Sequence, residues 1–368
     1  MIVAWKPMRY HKHTIRTKHA FDKLSAKLQI SELEALNDSS IRIQSIRPAA
    51  NKTGEYRLVI DESDNIVIYT KDRKLERVSS VHSQGTLHEY IEYGKYSLAF
   101  YGNKAIELLI DQIIVCQLPV SFWSYKATCG VVFVRHPILE KHELYVIDDR
   151  RQLCRCDMMM IAKTADMLDE RCQTTDLVPH VHAIDNDVAD FCYDHSMRQY
   201  YYLTNTGKVV SSRRSSTTKI CDIKSSLDSI YENVPISIAK IDASIIVASN
   251  LTHKTEDNKK NSMTLINRYG KKTDELITET SHNEYYMYCY IKTFSFKKCN
   301  FVVATRCLSF CDLIAVVGCK LEIIKQDISS CNTATFSIWD SLIEVDNNRV
   351  DMIFVGYEIF NRITISIK

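Results

Sequence analysis

From about residue 55 the chain is written in short apolar or alternating runs rich in Val, Ile, Tyr and Phe, each cut by Gly, Asn, Asp or Lys/Arg. Apolar-polar alternation marks a half-buried strand, and the interrupting residues are those that tight turns accept. Seven strand-turn-strand units follow: 57–60 with 66–69, 98–100 with 106–108, 144–147 with 153–154, 200–203 with 209–210, 263–266 with 276–277, 313–317 with 321–324, and 352–355 with 363–366. Their midpoints are about 40, 46, 57, 63, 50 and 39 residues apart, near the period of a four-stranded propeller blade. The pattern predicts an all-β chain, a seven-bladed β-propeller over residues 40–368. The alternative is two β-sandwich domains, whose strands would follow at a spacing of about 8–12 residues instead of one long period.

Two polar stretches, 211–219 and 253–261, lack large apolar groups and follow expected strands. They read as exposed, mobile loops inserted between units, and they account for the two longest intervals. Ahead of the strands, Phe21, Leu24, Leu28 and Leu33 fall near helical spacing before Asn37-Asp38, which predicts an amphipathic helix over 20–38 as a short N-terminal extension. Its apolar face packs on the side of the propeller or receives a partner.

Charge changes the picture at the N-terminus only. Residues 1–60 carry eleven Lys/Arg and five Asp/Glu, a net +6, while the remainder carries −4, for a total of +2. Residues 1–19 form a basic arm in which Lys6, Arg9, Lys12, Arg16 and Lys18 interleave with Trp5, Tyr10 and three histidines. Such a composition can neutralise phosphates and stack on bases, and it equally suits docking to a protein partner, a solvated tail or a targeting segment.

Phe336-Ser337-Ile338-Trp339-Asp340 is the kind of apolar-x-apolar-Trp-Asp run with which strands of WD40 propellers commonly end; 144–148 and 264–267 match in part. On these residues the chain resembles a degenerate WD40-like propeller, with no Gly-His dipeptide and one Trp-Asp. The resemblance implies a rigid body with two loop-rich rims.

Only nine glycines occur, against roughly 7% in average usage, and no two lie within seven residues. That spacing excludes the paired-glycine turns of dinucleotide sites, phosphate loops and nucleophile elbows. Five of the nine, at 102, 207, 270, 318 and 356, fall at or beside expected hairpin turns.

Thirteen cysteines in irregular positions include no C-x-x-C. They read as reduced, mostly buried thiols rather than zinc ligands or disulfides, with Cys154 and Cys156 on one strand face. The densest imidazole and carboxylate region is 180–195, where His180, His182, Asp185 and Asp187 are weak candidates for a divalent metal; the competing reading is a loop and a half-buried strand, and no metal or other cofactor is expected. Arg213-Arg214-Ser215-Ser216 resembles a basophilic kinase site, which makes Ser215 and Ser216 phosphorylation candidates.

The apolar runs stop well short of the ~18 residues a spanning helix needs, and Met1–Trp5 is too short for a secretory signal, so a cytoplasmic or nuclear protein with no membrane partner is expected. The functional expectation is a non-catalytic propeller scaffold mediating protein-protein interactions in an intracellular complex. Alternatives are an RNA- or DNA-associated subunit of a nucleoprotein assembly and a metal-dependent propeller hydrolase or lyase using 180–195.

Overall fold

The computed structural model describes residues 18–36, 43–48, 55–60, 65–70, 75–80, 87–93, 96–101, 105–110, 113–118, 132–135, 142–157, 181–194, 196–197, 199–213, 216–279, 287–306, 310–329, 338–356 and 359–367. A helix, α1, covers 18–25 and is followed by two short strands, β1 (Leu28–Ile30) and β2 (Glu34–Ala35). Six four-stranded antiparallel blades then follow in chain order. The first is β3 (Ile43–Pro48), β4 (Glu55–Ile60), β5 (Asn65–Thr70) and β6 (Leu75–Ser80); the second is β7 (Leu87–Tyr93), β8 (Tyr96–Tyr101), β9 (Ile106–Ile110) and β10 (Ile113–Gln117). The third is β11 (Val132–Arg135), β12 (His142–Ile147), β13 (Leu153–Asp157) and β14 (Val181–Asp185); the fourth is β15 (Val188–Asp194), β16 (Gln199–Thr204), β17 (Lys208–Arg213) and β18 (Ser216–Asp222). The fifth is β19 (Tyr231–Ile241), β20 (Ser244–His253), β21 (Lys259–Ile266) and β22 (Lys272–Glu279); the sixth is β23 (Tyr288–Phe296), β24 (Cys299–Arg306), β25 (Phe310–Val317) and β26 (Lys320–Ser329).

The ring is closed by a sheet of another kind. Here β27 (Ile338–Val345), β28 (Arg349–Gly356) and β29 (Ile359–Ile367) are joined by β1, with β2 alongside the same edge of β29, so five strands from both ends of the chain share one sheet. The expected seven like blades are therefore corrected to six blades of four consecutive strands plus this composite closure. The count by hairpins treated the last unit as one more blade of its own; its outer strands come from the N-terminus. The sandwich alternative also falls, because each sheet packs on both neighbours around a ring instead of pairing off face to face.

Side-chain alternation shows why these strands form. In β12, Leu144 and Val146 pack toward the second blade, while Tyr145 and Ile147 pack toward the fourth. In β16, Tyr200 and Tyr202 face the third blade and Tyr201 and Leu203 the fifth. In β24, Val302 and Ala304 face the fifth blade, Phe301 and Val303 the closing sheet. A middle strand of a blade is apolar on both faces because each face is an inter-blade core, and β-branched and aromatic residues fill that pleated surface.

Three expectations need correction. Residues 20–38 are not one helix: α1 stops at 25, and the chain extends to add β1 and β2 to β29. Phe21 and Leu24 are buried in the core shared by the sixth blade and the closing sheet, and Leu28 and Leu33 pack against the same cluster, so this face packs on the propeller itself. Helical spacing was present, but the open edge of β29 offers backbone pairs that outweigh propensity. The Ser31 hydroxyl accepts the Thr364 N–H at 2.9 Å, and Arg362 donates twice to Glu34, at 3.0 and 2.6 Å.

Nor are the two polar stretches inserted loops. Ser211 to Lys219 spans the end of β17 and the start of β18, and His253 to Asn261 spans the β20–β21 turn. An outermost strand is solvated, so β18 needs no apolar residues, while Asn261 is fully buried and its Oδ1 accepts the Tyr288 N–H at 3.1 Å. The middle strands of the fifth and sixth blades are thus β20 with β21 and β24 with β25, one strand earlier than the runs chosen from the sequence there.

Gly270 ties two blades. It sits at φ +77° in the β21–β22 turn, and a Cβ there would lie 2.6 Å from the Ile220 carbonyl oxygen on β18 of the fourth blade. Gly270→Ala is expected to destabilise the protein by about 2 kcal/mol or more, from left-handed strain plus displacement of backbone, read as a lower urea midpoint with an unchanged slope.

Candidate functional site

Two places concentrate polar groups, the inner ring around the propeller axis and a cleft between the fourth and fifth blades. The inner ring arises from a repeated backbone device. In six innermost strands the register slips between Ile43 and Ser45, Leu87 and Glu89, Val188 and Asp190, Pro235 and Ser237, Tyr288 and Tyr290, and Ile338 and Asp340. Each slip is a β-bulge that turns the next residue, polar and buried, toward the axis. At Asp190, Ser237 and Asp340 that side chain reaches the next sheet. Asp190 Oδ2 accepts the Ile238 N–H at 2.9 Å and the Ser237 hydroxyl at 2.6 Å; Ser237 Oγ accepts the Ile291 N–H at 3.3 Å; Asp340 Oδ2 accepts the Ile46 N–H at 3.1 Å.

Asp340 is the densest node. Arg47 Nη1 donates to Oδ2 at 2.5 Å, Lys292 Nζ lies 3.3 Å from Oδ1, and the Ser341 N–H donates to Oδ1 at 2.8 Å. Arg47 also donates to Glu89, so one guanidinium bridges the closing sheet and the second blade. Burial alone would raise the Asp340 carboxyl, but the Arg47 and Lys292 cations and two backbone donors hold it below its usual range. Burial wins at Glu89, whose carboxyl is raised despite Arg47. Trp339-Asp340 was legible as a motif, although Asp340 opens an innermost strand instead of ending one. Arg47, Glu89 and Lys292 were missed. The signal was the apolar-x-polar step that recurs at each bulge.

A second buried node lies in the sixth blade. Arg306 donates to Asp312 Oδ2 from Nε at 3.1 Å and Nη2 at 2.6 Å, and to Asp327 from Nη1 at 2.7 Å. The Tyr288 hydroxyl reaches the same Asp312 oxygen at 3.1 Å.

The cleft, of about 680 Å³, opens on the face carrying the β15–β16, β19–β20 and β21–β22 turns. Its floor includes Tyr201, Ile220 and Ile245, and its rim carries Met197 and Tyr269, which are 53% and 67% exposed. Asp194 Oδ1 accepts the N–H groups of Ser196 and Met197 at 2.9 and 3.1 Å, fixing the turn that presents Met197. Burial would raise the Asp194 carboxyl, but the Ser196 and Met197 donors and Lys240, 3.4 Å away, keep it lowered and ionised. Across the cleft, Asn267 Oδ1 accepts the N–H groups of Tyr269 and Lys271 at 2.9 and 3.0 Å, which fixes the second turn. Arg268 lies over the Tyr269 ring at 4.7 Å.

The sequence-derived candidates are dispersed. His182 is exposed on β14; Asp185 accepts the Tyr202 hydroxyl; Asp187 takes φ 61° in a turn and accepts Asn205 Nδ2 at 2.7 Å. His180 lies outside the described residues, and among those described no three His, Cys, Asp or Glu form a metal-holding group. Lys18 is exposed on α1, while Lys6, Arg9, Lys12 and Arg16 lie outside the described residues, as does Ser215. Ser216 is exposed at the start of β18. Among the described residues no helix is long and apolar enough to cross a membrane.

Cys154 and Cys156 share one core between the second and third blades. Burial pushes both thiols up to about 12, aided by Asp148 at Cys154 and by Cys154 itself at Cys156. Below pH 9 both are expected to resist iodoacetamide in native protein and to react promptly in urea, because the thiolate is the nucleophile; peptide mass mapping reads this directly.

No family model matches the chain, and no curated protein matches it in sequence. Solved structures do match in shape. The fold is a β-propeller, the shape that WD40 domains also have. The WD40 β-propeller domain of Doa1 aligns with a TM-score of 0.53 and 12% identity, covering 92% of this chain and 96% of that one. A chain from the S. cerevisiae assembly of Dbp5 with Nup159, Gle1, IP6 and ADP aligns at 0.57 and 11%, covering 92% and 95%. Virginiamycin B lyase from Staphylococcus aureus aligns at 0.56 and 10%, covering 93% and 100%. Binders and an enzyme thus share this shape, and at such identity the likeness concerns the fold alone.

Proposed function

We propose that the chain is a non-catalytic propeller scaffold of an intracellular complex and that a protein partner docks at the cleft between the fourth and fifth blades. The observation that carries this reading is the rim of that cleft. Met197 and Tyr269 are large, exposed apolar side chains held by two hydrogen-bonded turns, and exposed aromatic anchors beside a recess are where binding energy concentrates. The polar network of the inner ring serves cohesion, since its carboxylates are engaged by neighbouring sheets. Propellers found in multiprotein assemblies agree with this use of the fold. The nucleic-acid reading gains no support from these likenesses, and the metal-enzyme reading loses the gathering of His182, Asp185 and Asp187 on which it depended.

A photo-crosslinking amino acid placed at position 269, with position 230 on the opposite face as control, tests the reading in cells of the source organism. Protein adducts are expected at 269 and not at 230. Adducts at 230 alone, or at neither position, would overturn it.

A further inference from the structure

The cleft also carries a charge pattern that specifies its partner, an inference that rests on the scaffold reading above. Both acids in the recess are committed within the chain. Asp194 is engaged by two turn N–H groups, the Ser196 hydroxyl and Lys240, and Asp242 Oδ2 is taken by Asn300 of the sixth blade. The cations on the rim are not committed in the same way. Arg268 is exposed and makes its contacts with Tyr269, with no carboxylate partner among the described residues. Lys271 is exposed on the same turn, and among the described residues Lys219 pairs with Asp222, where both side chains are about half exposed and the pair is worth little.

The recess therefore offers an apolar floor, an aromatic rim and an excess of positive charge, Lys219, Lys240 and Arg268 standing against Asp194 and Asp242. One of its walls is β18, an edge strand paired on one side with β17. Edge strands present backbone donors and acceptors to an extended chain, and Gly270 seats the Arg268–Tyr269 turn directly over this strand. We propose that the cleft binds an extended acidic segment of a partner protein, placing an apolar side chain between Met197 and Tyr269 and a carboxylate on Arg268.

The test uses the full chain and fluorescein-labelled peptides of alternating Glu and Leu, or of alternating Lys and Leu, read by anisotropy across a salt series. The Glu-Leu peptide is expected to bind wild type, to weaken as salt rises, and to lose roughly fivefold or more in affinity with Arg268→Glu. Tyr269→Ala should weaken it as well, Arg268→Lys should retain most of it, and the Lys-Leu peptide should prefer the Arg268→Glu protein. These positions are exposed, and unchanged thermal unfolding confirms that the variants fold. Equal binding of both peptides to wild type, affinity indifferent to Arg268→Glu, or displacement of the peptide by single-stranded oligouridine would each overturn the proposal. Crosslinks from position 269 to segments without acidic residues would leave the scaffold reading standing and remove this one.

Discussion

Asp340→Ala is expected to cost about 3–5 kcal/mol of stability, the typical loss when one partner of a buried ionic cluster is removed. The carboxylate is 1% exposed and receives Arg47, Lys292 and the N–H groups of Ile46 and Ser341. Its removal leaves the Arg47 and Lys292 cations sharing Glu89 as their remaining carboxylate and strands the Ile46 N–H that ties the closing sheet to the first blade. Because this node closes the ring, the loss should appear both as a lower urea midpoint and as faster hydrogen exchange along β3 and β27. Asp340→Asn keeps the acceptor for Ile46 and should recover part of the loss. A cost under about 1 kcal/mol would mean that the cluster is solvated and contributes little.

Arg306→Leu is expected to cost a similar amount, about 3–5 kcal/mol, for the converse reason. Asp312 is fully buried, and Arg306 supplies two of its donors at 3.1 and 2.6 Å. Burial opposes the Arg306 charge, but Asp312 raises its affinity for the proton, so the guanidinium stays charged. With the guanidinium gone, Asp312 is left as a buried carboxylate beside the Tyr288 hydroxyl, and burial without a counter-charge favours the protonated form of a carboxyl. A carboxyl raised in this way is protonated as pH falls through its new pKa. The penalty in the variant should therefore be largest near neutrality and shrink under acid conditions. Urea titrations of wild type and variant at several pH values read the difference, and a pH-independent penalty would point to lost packing instead of an orphaned charge.

The strand hairpins were legible because middle strands face cores on both sides. Runs such as Tyr200 to Leu203 and Leu144 to Ile147 are apolar throughout, and four of the chosen hairpins in the first four blades are the second and third strands of their blade. In the fifth and sixth blades the reading slipped by one strand, because β20 and β21 meet at a polar turn flanked by Asn250 and Lys259 to Asn261, and these look like loop residues. Composition reports burial of side chains, whereas strand pairing is made by backbone. The same blindness hid β1 and β2, where a helical spacing of leucines was overridden by the free edge of β29 some 330 residues away in sequence.

The inner ring was less legible. Its members are single polar residues separated by whole blades, and only the superposition of successive bulges brings Asp340, Arg47 and Glu89 to one place. The cleft could not be read at all. Met197, Arg268 and Tyr269 sit in turns, and nothing local distinguishes them from other turn residues until the fourth and fifth blades are placed side by side. Of the glycines read as turn markers, Gly207, Gly270 and Gly318 do take positive φ, and Gly270 alone is shown to make a steric demand across blades under 3 Å.

The central claim is that partner recognition occurs at the cleft between the fourth and fifth blades. Hydrogen-exchange mass spectrometry of the chain, free and within its purified native complex, tests it most directly. Protection on binding is expected in 194–201, 216–222, 242–245 and 267–271, with 227–230 and 254–258 on the opposite face unchanged. Protection confined to the opposite face, or no change around the cleft in an intact complex, would contradict the claim.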